Sequence, residues 1–66
     1  MKQFGAALYA QRMTDGHFYL GITFVYAGSK HEATGIALDR LKKQAPITEW
    51  ANHIVEVAET PYPSAD

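Results

Sequence analysis

The sequence contains no cysteine and no long apolar run, and each absence excludes kinds of protein. Without cysteine, neither a disulfide nor a thiolate metal site can form. No stretch reaches the roughly 20 apolar residues of a membrane-spanning helix, and the short apolar run near the N-terminus is interrupted at Gly5 and Tyr9. From these absences we expect a cytoplasmic protein with no membrane partner.

The chain also lacks an excess of charge of either sign, since six Lys and Arg residues stand against seven Asp and Glu residues. Proteins that bind duplex DNA by neutralising its phosphates have a basic excess. Nucleic acid is therefore a disfavoured partner. Apolar residues make up 47% of the sequence and aromatic residues 12%, which is typical of a folded domain.

Catalytic and metal-binding motifs are missing as well. The three histidines, His17, His31 and His53, lie in separate predicted elements and are not expected to converge with carboxylates on a metal or a substrate. There is no glycine-rich phosphate loop and no serine with a nucleophile motif around it. We expect no catalytic residue, no metal and no cofactor, and hence a protein that is not an enzyme.

The strongest positive signal is a helix over residues 29–45. Ser29 and Glu32 form a capping box at its start, two lysines in its last turn face the negative end of the helix dipole, and Pro46 stops it. One side of the predicted helix carries the apolar residues Ala33, Ile36, Ala37, Leu41 and Ala45. This apolar stripe needs a sheet to cover it.

Three strands are predicted around this helix, over residues 3–13, 17–27 and 52–60, because apolar and polar residues alternate there. The order is β-β-α-β. If the third strand pairs beside the first, the sheet is wholly antiparallel in the order 2-1-3, an α+β fold with the helix on one face. We expect a single domain over residues 1–60 and a flexible tail over 61–66.

The turn between the first two strands allows two registers. A two-residue loop, Asp15-Gly16, places Tyr9 on the same face as Phe18. A three-residue loop, Thr14-Asp15-Gly16, instead places Phe4 and Leu8 on the same face as Phe18. A slip of one residue moves every side chain to the other face. Because burial of the larger apolar set decides between them, the three-residue loop is favoured.

One helix leaves the second face of the sheet uncovered. With the three-residue loop this face carries Tyr9, Gln11, Met13, His17, Tyr19, Thr23, Val25, Ile54 and Glu56. Exposed apolar patches of this kind mark association surfaces. The second strand is also an edge strand without a charged residue, which is a template for pairing with another chain.

These features predict a non-enzymatic protein-binding module, expected to form a homodimer. The interaction residues are expected to be Tyr9, Gln11, His17, Tyr19, Thr23 and Val25. Tyr19→Ala or Val25→Glu should then abolish association while leaving the helix–sheet core folded.

A second interpretation is a binder of small ligands or of single-stranded nucleic acid. Tyr9 and Tyr19 on one sheet face would offer stacking platforms for bases. The helix N-terminus at Ser29, Lys30 and His31 would offer an anion site.

A third interpretation comes from a loose resemblance to the HicB-type antitoxin domain over about residues 5–45. It is carried by the Asp15-Gly16 turn, Ser29, Glu32-Ala33 and Ala37-Leu38. The resemblance implies a regulatory domain with a protein partner, and it assigns no functional residue. In size and lack of cysteine the chain is also similar to small phage and prophage proteins, many of which bind and inhibit a host protein.

Overall fold

A computed structural model describes residues 1–60 as a three-stranded sheet with one helix across it. The strands are β1 (Lys2–Arg12), β2 (Phe18–Ala27) and β3 (Trp50–Glu59), and the helix is α1 (Lys30–Gln44). Both pairings are antiparallel, in the order β2-β1-β3. The predicted α+β fold and strand order are confirmed. The predicted tail, residues 61–66, lies outside the described residues.

The helix begins where its capping residues predict. Ser29 is extended, and its hydroxyl accepts a hydrogen bond from the Glu32 N–H at 3.1 Å. The Glu32 carboxylate accepts one from the Gly28 N–H at 2.9 Å, one residue before the expected partner. The Glu32 N–H is one of the donors at a helix start that have no partner within the helix. The helix ends at Ala45, whose N–H donates to Leu41 O.

The core lies between this helix and one face of the sheet, and small side chains dominate it. The fully or nearly fully buried residues are Phe4, Ala6, Leu8, Ala10, Val25, Ala27, Ala33, Ala37, Leu41, Ala45 and Val57. Six of these eleven residues are alanines, of which Ala6, Ala10 and Ala27 lie in the sheet and the others in the helix or at its end. A contact of this kind has room for few large side chains.

The hairpin between β1 and β2 has a different register from the favoured one. Tyr9 pairs with Leu20, and Phe4 with Val25. Arg12 N–H donates to His17 O at 2.7 Å, so four residues, 13–16, form the loop. A four-residue loop gives the same facing as the rejected two-residue loop. The favoured three-residue loop is therefore wrong, and each β2 side chain lies on the face opposite to the expected one.

The loop is held by Gly16 and by Asp15. Gly16 is left-handed, with φ 75°, a conformation that costs glycine little. The Asp15 carboxylate accepts from the Arg12 guanidinium, with Nε 3.0 and 3.2 Å from its two oxygens and Nη2 2.7 Å from Oδ2. It also accepts from the His17 N–H at 3.0 Å. The Arg12 side-chain bond and the His17 N–H lower the pKa of Asp15 from its ordinary value.

This pKa shift predicts a pH-dependent contribution to stability. Because the folded state favours the charged carboxylate, the contribution is full above the ordinary Asp pKa of about 3.9. It is lost as the pH falls from there toward the lower folded pKa. We expect Asp15→Asn to lower the unfolding temperature at pH 7 and the difference from wild type to shrink steadily below pH 4, measured by thermal denaturation.

Asp39→Asn is the matched control, since Asp39 is exposed on α1 and its carboxylate has no hydrogen bond or ion pair within residues 1–60. It should leave the unfolding temperature at pH 7 almost unchanged. Equal losses for Asp15→Asn and Asp39→Asn would show that the bonds to Asp15 do not stabilise the hairpin.

β3 contains a bulge near its start. The β1–β3 register shifts between Tyr9 and Gln11, and Asn52 is left-handed, with φ 57°. After this bulge the His53 imidazole faces the end of the helix, with Nε2 2.7 Å from Ala45 O. No helix within the described range is long and apolar enough to cross a membrane.

Candidate binding face

The sheet face opposite the helix, here called the open face, is built from alternate residues of the three strands. The register places on it Gln3, Gly5, Ala7, Tyr9, Gln11, Phe18, Leu20, Ile22, Phe24, Tyr26, Ala51, Ile54, Glu56 and Ala58. Glu56 is the one charged residue among these strand positions. The open face is therefore more apolar than the sequence interpretation expected.

A row of large apolar side chains runs along β2 on this face. We call it the ridge; it consists of Phe18, Leu20, Ile22, Phe24 and Tyr26. Their exposed fractions lie between 57% and 74%. Tyr9 supports one end of the ridge, with its ring centroid 5.3 Å from that of Phe18. A contiguous exposed patch of five large apolar side chains is typical of an interaction site.

Beside the ridge, the open face is low, because small residues occupy β1 and β3 there. We call this depression the trough; its floor is Gly5, Ala7 and Ala58. Ile22 and Phe24 line it on the ridge side and Glu56 on the other, and the Phe24 ring lies against Gly5, 3.6 Å from where a Cβ would stand. The hollow continues past β3 to the helix side, where Lys30, Thr34, Val55 and Val57 line it. The ridge and the trough share rows of residues across the sheet, since Phe24 pairs with Gly5, and Gly5 with Ala58.

The area of the patch is that of a protein interface. With about 200 Å² for a fully exposed large side chain, the exposed parts of the ridge and of Ile54 amount to roughly 750 Å². The largest apolar patch of a typical monomer is roughly 300–600 Å². A standard interface buries about 800 Å² per partner. The open face is thus large enough for a stable protein contact.

The free edge of β2 is partly covered by a side chain of the helix. Arg12 and His17 form a hydrogen-bonded pair, and such pairs alternate along an antiparallel ladder. The backbone groups of the ridge residues therefore point away from β1. One of these groups, Phe24 O, accepts a hydrogen bond from Arg40 Nη1 at 2.7 Å, and the same nitrogen donates to Thr23 Oγ1 at 2.8 Å. The helix thus covers part of the edge.

The predicted interaction residues divide between the two faces. Tyr9 and Gln11 lie on the open face, as expected. Tyr19, Thr23 and Val25 lie on the helix side, contrary to the expectation, because the register differs by one residue. Val25 is 1% exposed, and the Tyr19 ring packs edge-on against Trp50, with centroids 6.2 Å apart.

Tyr9 and Tyr19 consequently do not form one stacking surface, since they lie on opposite faces of the sheet. His17 also lies off the open face, at the hairpin loop, with Nδ1 3.4 Å from Asp15 Oδ2. Met13 is exposed in the same loop. Ile54 and Glu56 are on the open face, where the sequence placed them.

Two backbone donors at the expected anion site, the N–H groups of Gly28 and Glu32, are already bonded. The Ser29 hydroxyl accepts from the Glu32 N–H, and the Glu32 carboxylate accepts from the Gly28 N–H. Lys30 and His31 are exposed. A negative charge of the chain itself therefore lies where a bound anion was expected, which weakens the site.

The histidines lie in three different environments. His17 is beside Asp15, His31 is exposed on the first helical turn, and His53 faces Ala45 O. Within residues 1–60 no group of three His, Asp or Glu side chains is placed to hold a metal ion. The strand residues of the open face include one carboxylate and no Ser, Thr, Cys, Lys or His, and most of its area is apolar.

The sequence interpretation missed the ridge and Arg40. The five ridge residues were recognised as one face of a strand, but the loop length placed them in the core. The large number of alanines in the helix stripe was the available signal, because a narrow helix–sheet gap cannot also hold five large side chains. Nothing in the sequence pattern pointed to the contact between Arg40 and the β2 edge, which joins residues 16 positions apart.

Comparison with protein-family models, with curated proteins and with solved structures finds no match for this chain.

Proposed function

We propose that the chain is a non-enzymatic protein-binding module that works as a homodimer, with the open face as its interface. The observation that carries this proposal is the ridge, whose five large apolar side chains are between 57% and 74% exposed. Transfer of apolar area out of water contributes roughly 25 cal/mol per Å² of favourable free energy. A partner that covers the ridge would therefore gain a large free energy of association.

A second copy is favoured as the occupant because the face is complementary to itself. The ridge and the trough lie side by side, so the same patch supplies both the projecting and the receiving surface. A two-fold contact uses one patch on both subunits in this way. The exposed apolar area per copy is also close to that of a standard interface.

The charge of the face supports a protein rather than a nucleic acid as partner. The strand residues of the open face include Glu56 and no lysine or arginine. A surface that stacks bases normally combines its aromatic residues with a basic groove for the backbone phosphates. Aromatic and aliphatic side chains without such a groove are typical of the centre of a protein interface.

The first test is the substitution of Ile22 by glutamate. Ile22 lies at the middle of the ridge and is 74% exposed, so the fold should tolerate the change. In the dimer each copy would place a carboxylate in an apolar contact. With about 2 kcal/mol for each of the two sites, the dimer dissociation constant should rise roughly 1,000-fold. Sedimentation velocity over a concentration series measures this constant.

Ile47→Glu is the matched control, because Ile47 is 64% exposed and lies in the α1–β3 connection, off the open face. It should leave the dissociation constant unchanged. A wild-type chain that is monomeric at every concentration, or an equal effect of both substitutions, would refute the homodimer.

The proposed homodimer does not by itself identify a biological process. A regulator or an inhibitor of a host protein, a HicB-like antitoxin and a cytoplasmic location all agree with a small protein-binding module, and they stay predictions from the sequence.

A further inference from the structure

Resting on the proposed homodimer, we infer that its two copies pack face to face about a two-fold axis parallel to the strands, with the ridge of each copy in the trough of the other. The side chains that enter the trough are Ile22 and Phe24. Ala7 and Ala58 of its floor receive them, since the Phe24 ring of each copy already lies against its own Gly5.

The direction of the axis follows from the positions of ridge and trough. The ridge lies at one edge of the open face, on β2, and the trough toward the other edge, on β1 and β3. When two such faces meet, an axis parallel to the strands brings the β2 edge of one copy over the β3 side of the other. An in-plane axis perpendicular to the strands instead brings ridge onto ridge.

The levels of the residues along the strands agree with the parallel axis. This axis keeps each residue at its own level, and Phe24, Gly5 and Ala58 share one level. Ile22, Ala7 and Glu56 share the next. At these two levels a large side chain can therefore face a small one, whereas Leu20, Tyr9 and Ile54 share the level beyond them, where large side chains meet. The carboxylate of Glu56 lies on an edge strand, from which it can extend past the rim to water.

Packing through the β2 edge is the competing arrangement, and Arg40 opposes it. Two β2 strands that pair across a two-fold axis would use the outward backbone groups of the ridge residues. One of them, Phe24 O, is bonded to the Arg40 guanidinium at 2.7 Å. Edge pairing would have to displace this bond, and it would leave the ridge and the trough exposed.

The absence of cysteine makes cross-linking a direct test. Phe24→Cys carrying a long affinity tag is mixed with untagged Ala58→Cys and treated with a short bis-maleimide. Gel electrophoresis separates the products by size. The inferred packing expects mixed dimers as the main product, with few dimers of Phe24→Cys alone. Predominant Phe24→Cys dimers would overturn it, because they require ridge on ridge or edge on edge.

Ala7→Phe keeps the inference testable where a cysteine variant associates weakly. Ala7 is exposed on the open face, so the monomer should fold, and its circular dichroism should match that of wild type. The new ring would fill the trough, and the dissociation constant should rise at least tenfold. An unchanged constant would overturn the inferred packing, whereas a wild-type chain that is already monomeric would refute the proposed function itself.

Discussion

Val25→Glu should unfold the domain, whereas Phe24→Glu, at the neighbouring position, should leave it folded. Val25 is 1% exposed beneath the helix, and Phe24 is 57% exposed on the open face. The same substitution therefore places a carboxylate in the core in one variant and in water in the other. The two variants differ only in which face of β2 receives the charge.

The expected size of the effect comes from the cost of burying an unpaired charge, which is several kcal/mol. A domain of about this length rarely has more than 3–5 kcal/mol of stability. Val25→Glu should consequently lack the far-ultraviolet circular dichroism and the amide chemical-shift dispersion of the native state. Phe24→Glu should keep both, and it should also be monomeric in the proposed scheme.

This pair of variants tests the register independently of any partner. In the three-residue-loop register Phe24 would lie beneath the helix and Val25 on the outer face, so the two outcomes would be exchanged. A folded Val25→Glu with an unfolded Phe24→Glu would overturn the register on which the open face, the ridge and the trough depend. Because Val25 is buried, the expectation from the sequence that Val25→Glu abolishes association without unfolding no longer follows.

Leu41→Ala should be the most destabilising truncation within the helix. Leu41 is completely buried and is, with Val25, the largest side chain with almost no exposure. Loss of a buried leucine costs about 2–5 kcal/mol, because the cavity closes only in part. For a domain of this size the unfolding temperature should fall by roughly 8–40 °C. Thermal denaturation followed by circular dichroism measures the change.

Leu38→Ala is the matched control for this truncation. Both leucines lie in α1, so the change in helix propensity is the same, but Leu38 is only partly buried against the core. It should cost much less than Leu41→Ala. If the two variants lost equal stability, Leu41 would not occupy the centre of the helix–sheet contact.

Local signals explain why most of the fold could be predicted. Ser29 and Glu32 mark the helix start through bonds between near neighbours. The 3.6-residue spacing of Ala33, Ala37 and Leu41 identifies the buried side of the helix, and these three residues are buried. Alternation of apolar residues predicts each strand to within a few residues of its bounds.

The candidate binding face was only half predicted, because it depends on a loop that is one residue longer than expected. Tyr9, Ile54 and Glu56 were placed on the correct face, since the β1–β3 pairing was not affected. The ridge was assigned to the core, since a period of two does not say which side of a strand faces the helix. The assumption that a single chain buries its larger apolar set was also wrong.

The sequence by itself determined the elements, their order and the helix side that packs, because these follow from capping, periodicity and chain connection. Only the tertiary structure decided which side of β2 meets the helix. The loop of residues 13–16 sets that choice through Arg12, Asp15 and Gly16. The narrow alanine-lined gap then has room for Val25 and not for the five ridge residues, which remain on the open face.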